Sequence, residues 1–134
     1  AYKIIDIEGI GETYASKLEA AGIKTPEDLL AACASAKGRK EMAEKTEISE
    51  KLILRWTNHA ELFRIKGVGP QFAELLEAAG VDTVKEFRHR VAANLQAKME
   101  EVNADKNLVN RVPSESELQK MIDQAKEMEP VMTY

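Results

Sequence analysis

The 134-residue chain has a single cysteine, Cys33, so it forms no internal disulfide and offers no thiolate cage for zinc. It has no apolar run long enough to span a bilayer and no charged-then-apolar leader, which makes a membrane-free, cytoplasmic protein the expectation. The chain opens on Ala1, in keeping with a removed initiator methionine. A basic excess is missing too: the net charge is -4, with nine Lys+Arg against eleven Asp+Glu up to Leu62 and ten against twelve beyond it. Proteins that neutralise many phosphates carry a positive excess, so extensive nucleic-acid binding is disfavoured and only a small local footprint is left. No phosphate-loop, nucleophile–base or paired-carboxylate pattern stands out, and His59 and His89 have no partners at metal-ligand spacing. An enzyme is not expected.

What the chain does have is a phrase stated twice. Residues 7–25 read IEGIGETYASKLEAAGIKT and residues 65–83 read IKGVGPQFAELLEAAGVDT, aligned without a gap. Gly9 pairs with Gly67, Gly11 with Gly69, Ala15 with Ala73, Leu18 with Leu76 and Gly22 with Gly80. Self-similarity at a fixed offset implies one supersecondary unit used twice. The repeat divides the chain into residues 1–62 and 63–134, and no flexible break interrupts the segment between them, so the halves are expected to pack as one unit.

Nothing alternates with the period of a strand, and the fold class expected is all-α. A short helix over Tyr2–Asp6 should lead into the Gly9-Ile10-Gly11 turn, followed by a helix from Glu12 to Ala21 stopped at Gly22. Thr25-Pro26-Glu27-Asp28 has a hydroxyl cap, a proline at the first helical position and acids where the helix dipole favours them. Further helices are expected from Gly38 to about Lys45 and after Ser49, the latter with Leu52, Ile53 and Trp56 inward. In the second half, Thr83 and Glu86 have capping-box spacing, and a long helix is expected from about Phe87 to Val102. Asn103–Arg111 reads as a loop, and Ser114 with Glu117 marks the start of a last helix ended by Pro130. Between Arg39 and Trp56 there is a helix-turn-helix rhythm with Glu47 where a glycine would be expected, which reads as a degenerate hairpin that packs helices.

Two glycines let the backbone turn sharply and leave main-chain N–H groups uncovered at a helix start, where partial positive charge favours an anion. The phrase resembles the helix-hairpin-helix motif through Ile7, Gly9, Ile10, Gly11, Ala15 and Leu18, and through Ile65, Gly67, Val68, Gly69, Ala73 and Leu76. The whole chain, including GRKEMAEKTEISEKLILRW and AELFRIKGVG, also resembles a family of small bacterial proteins known only as a domain of unknown function and built of tandem helix-hairpin-helix units. The motif implies sequence-independent contact with DNA phosphates. It also implies a monovalent cation held by hairpin carbonyls, here those of Ile5, Ile7 and Ile10, and of Phe63, Ile65 and Val68.

Members that bind DNA usually place Lys or Arg two positions after the second glycine, where this chain has Thr13 and Gln71. Glu8 and Glu12 would repel a phosphate at the first turn, whereas the second has Arg64, Lys66 and neutral Pro70-Gln71. The expected nucleic-acid contacts are therefore Gly67, Val68, Gly69, Arg64, Lys66 and Gln71, then Gly9, Ile10 and Gly11, with Arg39 and Lys40 as side-chain contacts outside the hairpins. Asp82 follows Gly80 too soon to serve as the aspartate of helix-hairpin-helix glycosylases. Two functions remain. One is a non-enzymatic module that touches double-stranded DNA weakly and without sequence preference. The other is a protein-interaction adaptor that uses the acidic first hairpin, or the last helix with its Pro130–Tyr134 tail.

Overall fold

The structure, a computed structural model, describes residues 2–134; the expectation attached to Ala1 lies outside the described residues. The described residues are helical with no strand. A 3-10 turn over Ile4–Asp6 comes first, then α1 (Glu12–Ala20), α2 (Pro26–Cys33), α3 (Ala36–Thr46), α4 (Glu50–Leu62), α5 (Pro70–Ala78), α6 (Val84–Phe87), α7 (Ala92–Lys106) and α8 (Glu115–Glu127). The chain divides into two units. One is Ala1–Glu61 together with Val131–Tyr134, and the other is Leu62–Pro130.

The repeated phrase takes the same backbone path in both units. Gly9 and Gly67 each have φ +94°, in the region that L side chains rarely adopt. Around them the turn bonds match: Ile10 N–H donates to Ile7 O and Val68 N–H to Ile65 O, both at 3.1 Å. Gly11 and Gly69 are the extended N-cap residues of α1 and α5. Each helix ends with a left-handed glycine, and the chain then bonds back, Ile23 N–H to Leu18 O at 2.9 Å and Val81 N–H to Leu76 O at 2.8 Å. The copies differ at their entrances, because the first hairpin follows a 3-10 turn and the second follows the 13-residue α4.

In the first unit Ile4, Ile7, Leu18, Leu29, Ile53 and Trp56 are fully buried. Trp56 packs on the Tyr14 ring, centroids 5.1 Å apart, and its indole nitrogen would stand 3.2 Å from a Cβ at Gly9. The second unit is built on Leu62, Ile65, Leu75, Leu76, Phe87 and Leu118, with α7 packed on α5 and α8. There Met121 of α8 lies over Gly67, its methyl 3.0 Å from where a Cβ would be. Each hairpin glycine thus receives a side chain from the last helix of its unit. Burying one such leucine contributes about 2 kcal/mol, so either core amply exceeds what the turns alone provide.

Several expectations need correction. The long helix over Phe87–Val102 is two helices: α6 stops at Phe87 and α7 starts at Ala92. At that break Arg90 Nε donates to the Glu86 carboxylate at 3.0 Å and its Nη2 to Gly80 O at 2.8 Å. Glu86 is thereby drawn from the Thr83 capping box, of which only the Thr83 half forms, while Thr25 and Asp28 complete theirs. Helix α7 runs on to Lys106, into the stretch expected to be loop, and ends at left-handed Asn107 (φ +50°). Asn103 then clasps the connection, its Oδ1 accepting from the N–H groups of Leu108 and Val109 and its Nδ2 donating to Val109 O. Glu47 is left-handed (φ +60°) at the α3–α4 junction, so a tight turn stands there without glycine.

The capping box of Ser114 and Glu117 forms as expected, and Arg111 grips the Glu117 carboxylate with two bonds of 2.8 and 3.0 Å. The Arg111 bonds, with help from Ser114, hold the Glu117 carboxyl down at about 2.

Gly38 has a different reason for being glycine. It lies in the first turn of α3, where a Cβ would come within 2.1 Å of Ala32 O at the end of α2. Gly38→Ala should force these packed helices apart and cost about 3 kcal/mol, as overpacking does. Gly11→Ala, with nothing within 4 Å of the added methyl, should change stability by no more than about 0.5 kcal/mol. Urea melts of the two variants check the contrast.

Candidate functional site

The exposed part of each hairpin is backbone. Gly67 is exposed and Gly69 half-exposed, while Val68 points into the core. Pro70 fills the first helical position of α5, where no N–H is required, and Gln71 stands exposed beside it. Neither α1 nor α5 has a side-chain hydrogen bond at its N-cap, nor does α7 behind Val91, whereas Thr25, Ser35, Thr83 and Ser114 cap α2, α3, α6 and α8. The two hairpins therefore present helix starts whose N–H groups lack the usual hydroxyl acceptor.

The side chains around the second hairpin are partly committed. Arg64 donates to Glu129 O at 3.0 Å, which ties it to the end of α8. Lys66 has an exposed side chain, but its backbone N–H is held by Gln124 Oε1 at 2.7 Å. A groove of about 490 Å³, lined by Gln71, Leu108, Val109 and Asn110, opens next to the helix start. At the first hairpin Gly9 and Gly11 are exposed, Ile10 is buried, and Glu12 lies at the surface.

The carbonyls considered for a cation are mixed in use. Those of Ile7 and Ile65 each accept a turn N–H, from Ile10 and Val68. Ile5 is an exposed residue of the 3-10 turn, and Phe63, just beyond α4, is half-buried. Among the described residues no group of three or more His, Cys, Asp and Glu side chains is arranged to hold a metal ion, and no helix is long and apolar enough to cross a membrane.

Arg39 requires the largest correction. It is 5% exposed, not a solvated phosphate contact like its neighbour Lys40, which is exposed. Its guanidinium donates to Cys33 O at 3.0 Å, to Ala34 O at 2.9 Å and to Thr133 O at 2.6 Å. A cation at the C-terminal carbonyls of α2 complements that helix's dipole. The same arginine lies 5.3 Å from the Tyr134 ring centroid, within cation–π range. The chain segment Val131–Tyr134 is thus part of the first unit's structure, and its Met132 is buried.

Glu61, fully buried, accepts from Val131 N–H at 3.1 Å and Met132 N–H at 3.4 Å through one carboxylate oxygen. Thr133 N–H donates to Ala34 O at 2.8 Å, and Tyr134 OH bonds Asn58 Oδ1 at 3.3 Å. Neither Glu61 nor Asn58 stood out in the sequence. In the structure Trp56–Leu62 is buried without interruption, although four of those seven residues are polar.

The family model described as "Domain of unknown function (DUF4332)" matches residues 8–128, and the chain belongs to that family. No curated protein and no solved structure matches the chain.

Cys33 lies beneath the Arg39 cluster. Burial pushes its thiol from 9.0 up to about 11, against smaller opposing effects of the Arg39 charge and a hydrogen bond with Thr57. That difference makes the thiolate about a hundredfold rarer than in the unfolded chain at the same pH. A folded thiol that keeps its proton longer contributes stability that is present below pH 9.0 and lost as the pH climbs towards about 11. Native protein at pH 8 should therefore react with a thiol reagent about a hundredfold more slowly than urea-unfolded protein. Stopped-flow thiol labelling reads this directly, and equal rates would contradict a buried Cys33.

Proposed function

We propose that this is a non-enzymatic, nucleic-acid-associated protein of helix-hairpin-helix type that meets backbone phosphates at its second hairpin without reading sequence. One observation carries the reading: α1 and α5 both start behind a glycine bend without a side-chain cap, whereas the helices that follow them, α2 and α6, are capped by the Thr25 and Thr83 hydroxyls. Uncapped N–H groups at the positive end of a helix dipole are the simplest phosphate receptor a protein can make. The second hairpin is favoured because Lys66 is exposed beside it, whereas Glu12 opens α1 with like charge to a phosphate. Lys40 is exposed within the first unit, and Arg39 is withdrawn from phosphate contact. Double-stranded DNA is the expected partner, and the net charge of -4 keeps the binding weak.

A salt titration of binding to duplex and single-stranded DNA tests this. The log–log slope should correspond to about two to four phosphates, and Lys66→Glu should remove the binding while the circular dichroism spectrum stays unchanged. No measurable binding of either DNA at low salt would leave the protein-adaptor reading in its place.

A further inference from the structure

Val131–Tyr134 is held as a peptide ligand is held. Its backbone is read at three points: two N–H groups on the Glu61 carboxylate, the Thr133 N–H on Ala34 O, and the Thr133 carbonyl on Arg39. Its side chains are read at two more, with Met132 buried and the Tyr134 ring over Arg39 with its hydroxyl on Asn58. These polar contacts all come from the stretch between Ala34 and Glu61, although the whole of Leu62–Pro130 lies between site and segment along the chain. Charge-assisted bonds to a buried carboxylate and a buried guanidinium are the strong kind, and they fix the register of an extended chain.

We propose that Ala34, Arg39, Asn58 and Glu61 form a docking site for an extended apolar–Met–Thr–Tyr segment, and that the same segment of a second copy of this chain is the occupant it takes in exchange for its own. The arm follows α8, which ends at Glu127, and joins it through Met128, Glu129 and Pro130. Those three residues are the connection through which an arm would pass from one copy to the other. Exchange between two copies would keep each of these contacts and give a closed, two-fold pair in which each copy completes the other's site. In a single copy the tethered arm competes at an effective concentration of about millimolar, so the exchanged form is favoured where the cis arm is weakened or the protein is concentrated. The proposal stands whether or not the hairpins bind DNA.

Two full-length variants test it by complementation. Met132→Glu spoils the arm and keeps the site, while Glu61→Ala spoils the site and keeps the arm. Sedimentation of each variant alone at about 100 μM should give monomer, and the mixture should give a one-to-one dimer within the reach of millimolar-scale arms. A labelled, amidated peptide matching Glu129–Tyr134 should bind Met132→Glu at least about tenfold more tightly than it binds wild type, whose own arm competes. The peptide with Met replaced by Glu, or with the Thr amide N-methylated, should lose at least that factor. These ligand changes leave the protein untouched, so they separate recognition from folding. Thr133→Pro, which deletes the N–H bonded to Ala34, serves as the open-site chain if Met132→Glu does not fold. A folded open-site variant that binds none of the peptides, or all of them equally, would overturn the proposal, as would a mixture that sediments only as monomers.

Discussion

Everything in this structure depends on one backbone constraint, a residue with φ +94° at the bend of each hairpin. A side chain at that φ meets its own carbonyl, and the cost is on the order of 1–2 kcal/mol. Glycine removes the clash and also leaves bare backbone for something else to pack on. Trp56 takes that place at Gly9 and Met121 at Gly67. The bend, the helix that leaves it and the helix that returns to cover it are therefore one local arrangement that the chain uses twice. The uncapped starts of α1 and α5 come from the second glycine of each phrase: Gly11 and Gly69 are extended at the N-cap and have no side-chain oxygen to offer the N–H groups.

The two units have put their charges to different uses. In the first, a guanidinium and a carboxylate are buried, and both are satisfied largely by backbone: Arg39 by three carbonyls and Glu61 by two N–H groups of the Val131–Tyr134 segment. Groups buried this deeply would be strongly destabilising if left without partners, so the segment is integral to the unit it joins. In the second unit the ionic contacts lie nearer the surface and tie helix ends, as with Arg90 to Glu86 and Arg111 to Glu117. The hairpin with an exposed lysine is in that second unit.

Local chemistry made much of this legible in the sequence. The glycine bends, the Thr25 and Ser114 caps and the all-helical class could all be read because each is set by residues within about one turn of one another. The break between α6 and α7 could not, because Arg90 reaches ten residues back to Gly80 O and takes Glu86 from its cap. Gly38 read only as the start of a helix, since the approach of Ala32 O that explains it is not visible in the sequence. Arg39 misled because one of its three acceptors, Thr133 O, is 94 residues away, and Glu61 went unremarked because Val131 is 70 residues away; a charged residue on a helix gives no sign that it faces inward. The phosphate-binding role proposed for the second hairpin rests on the helix start and on Lys66, and buried Arg39 contributes nothing to it.

The left-handed bend at the hairpins is most directly tested by handedness itself. Semisynthetic protein with D-alanine at Gly67 should melt at or above the wild-type temperature, because a D-residue favours positive φ, while L-alanine at the same position should lower stability by about 1–2 kcal/mol. Equal melting of the two, or greater stability of the L-alanine protein, would contradict a positive-φ hairpin and with it the repeated arrangement on which both units are built.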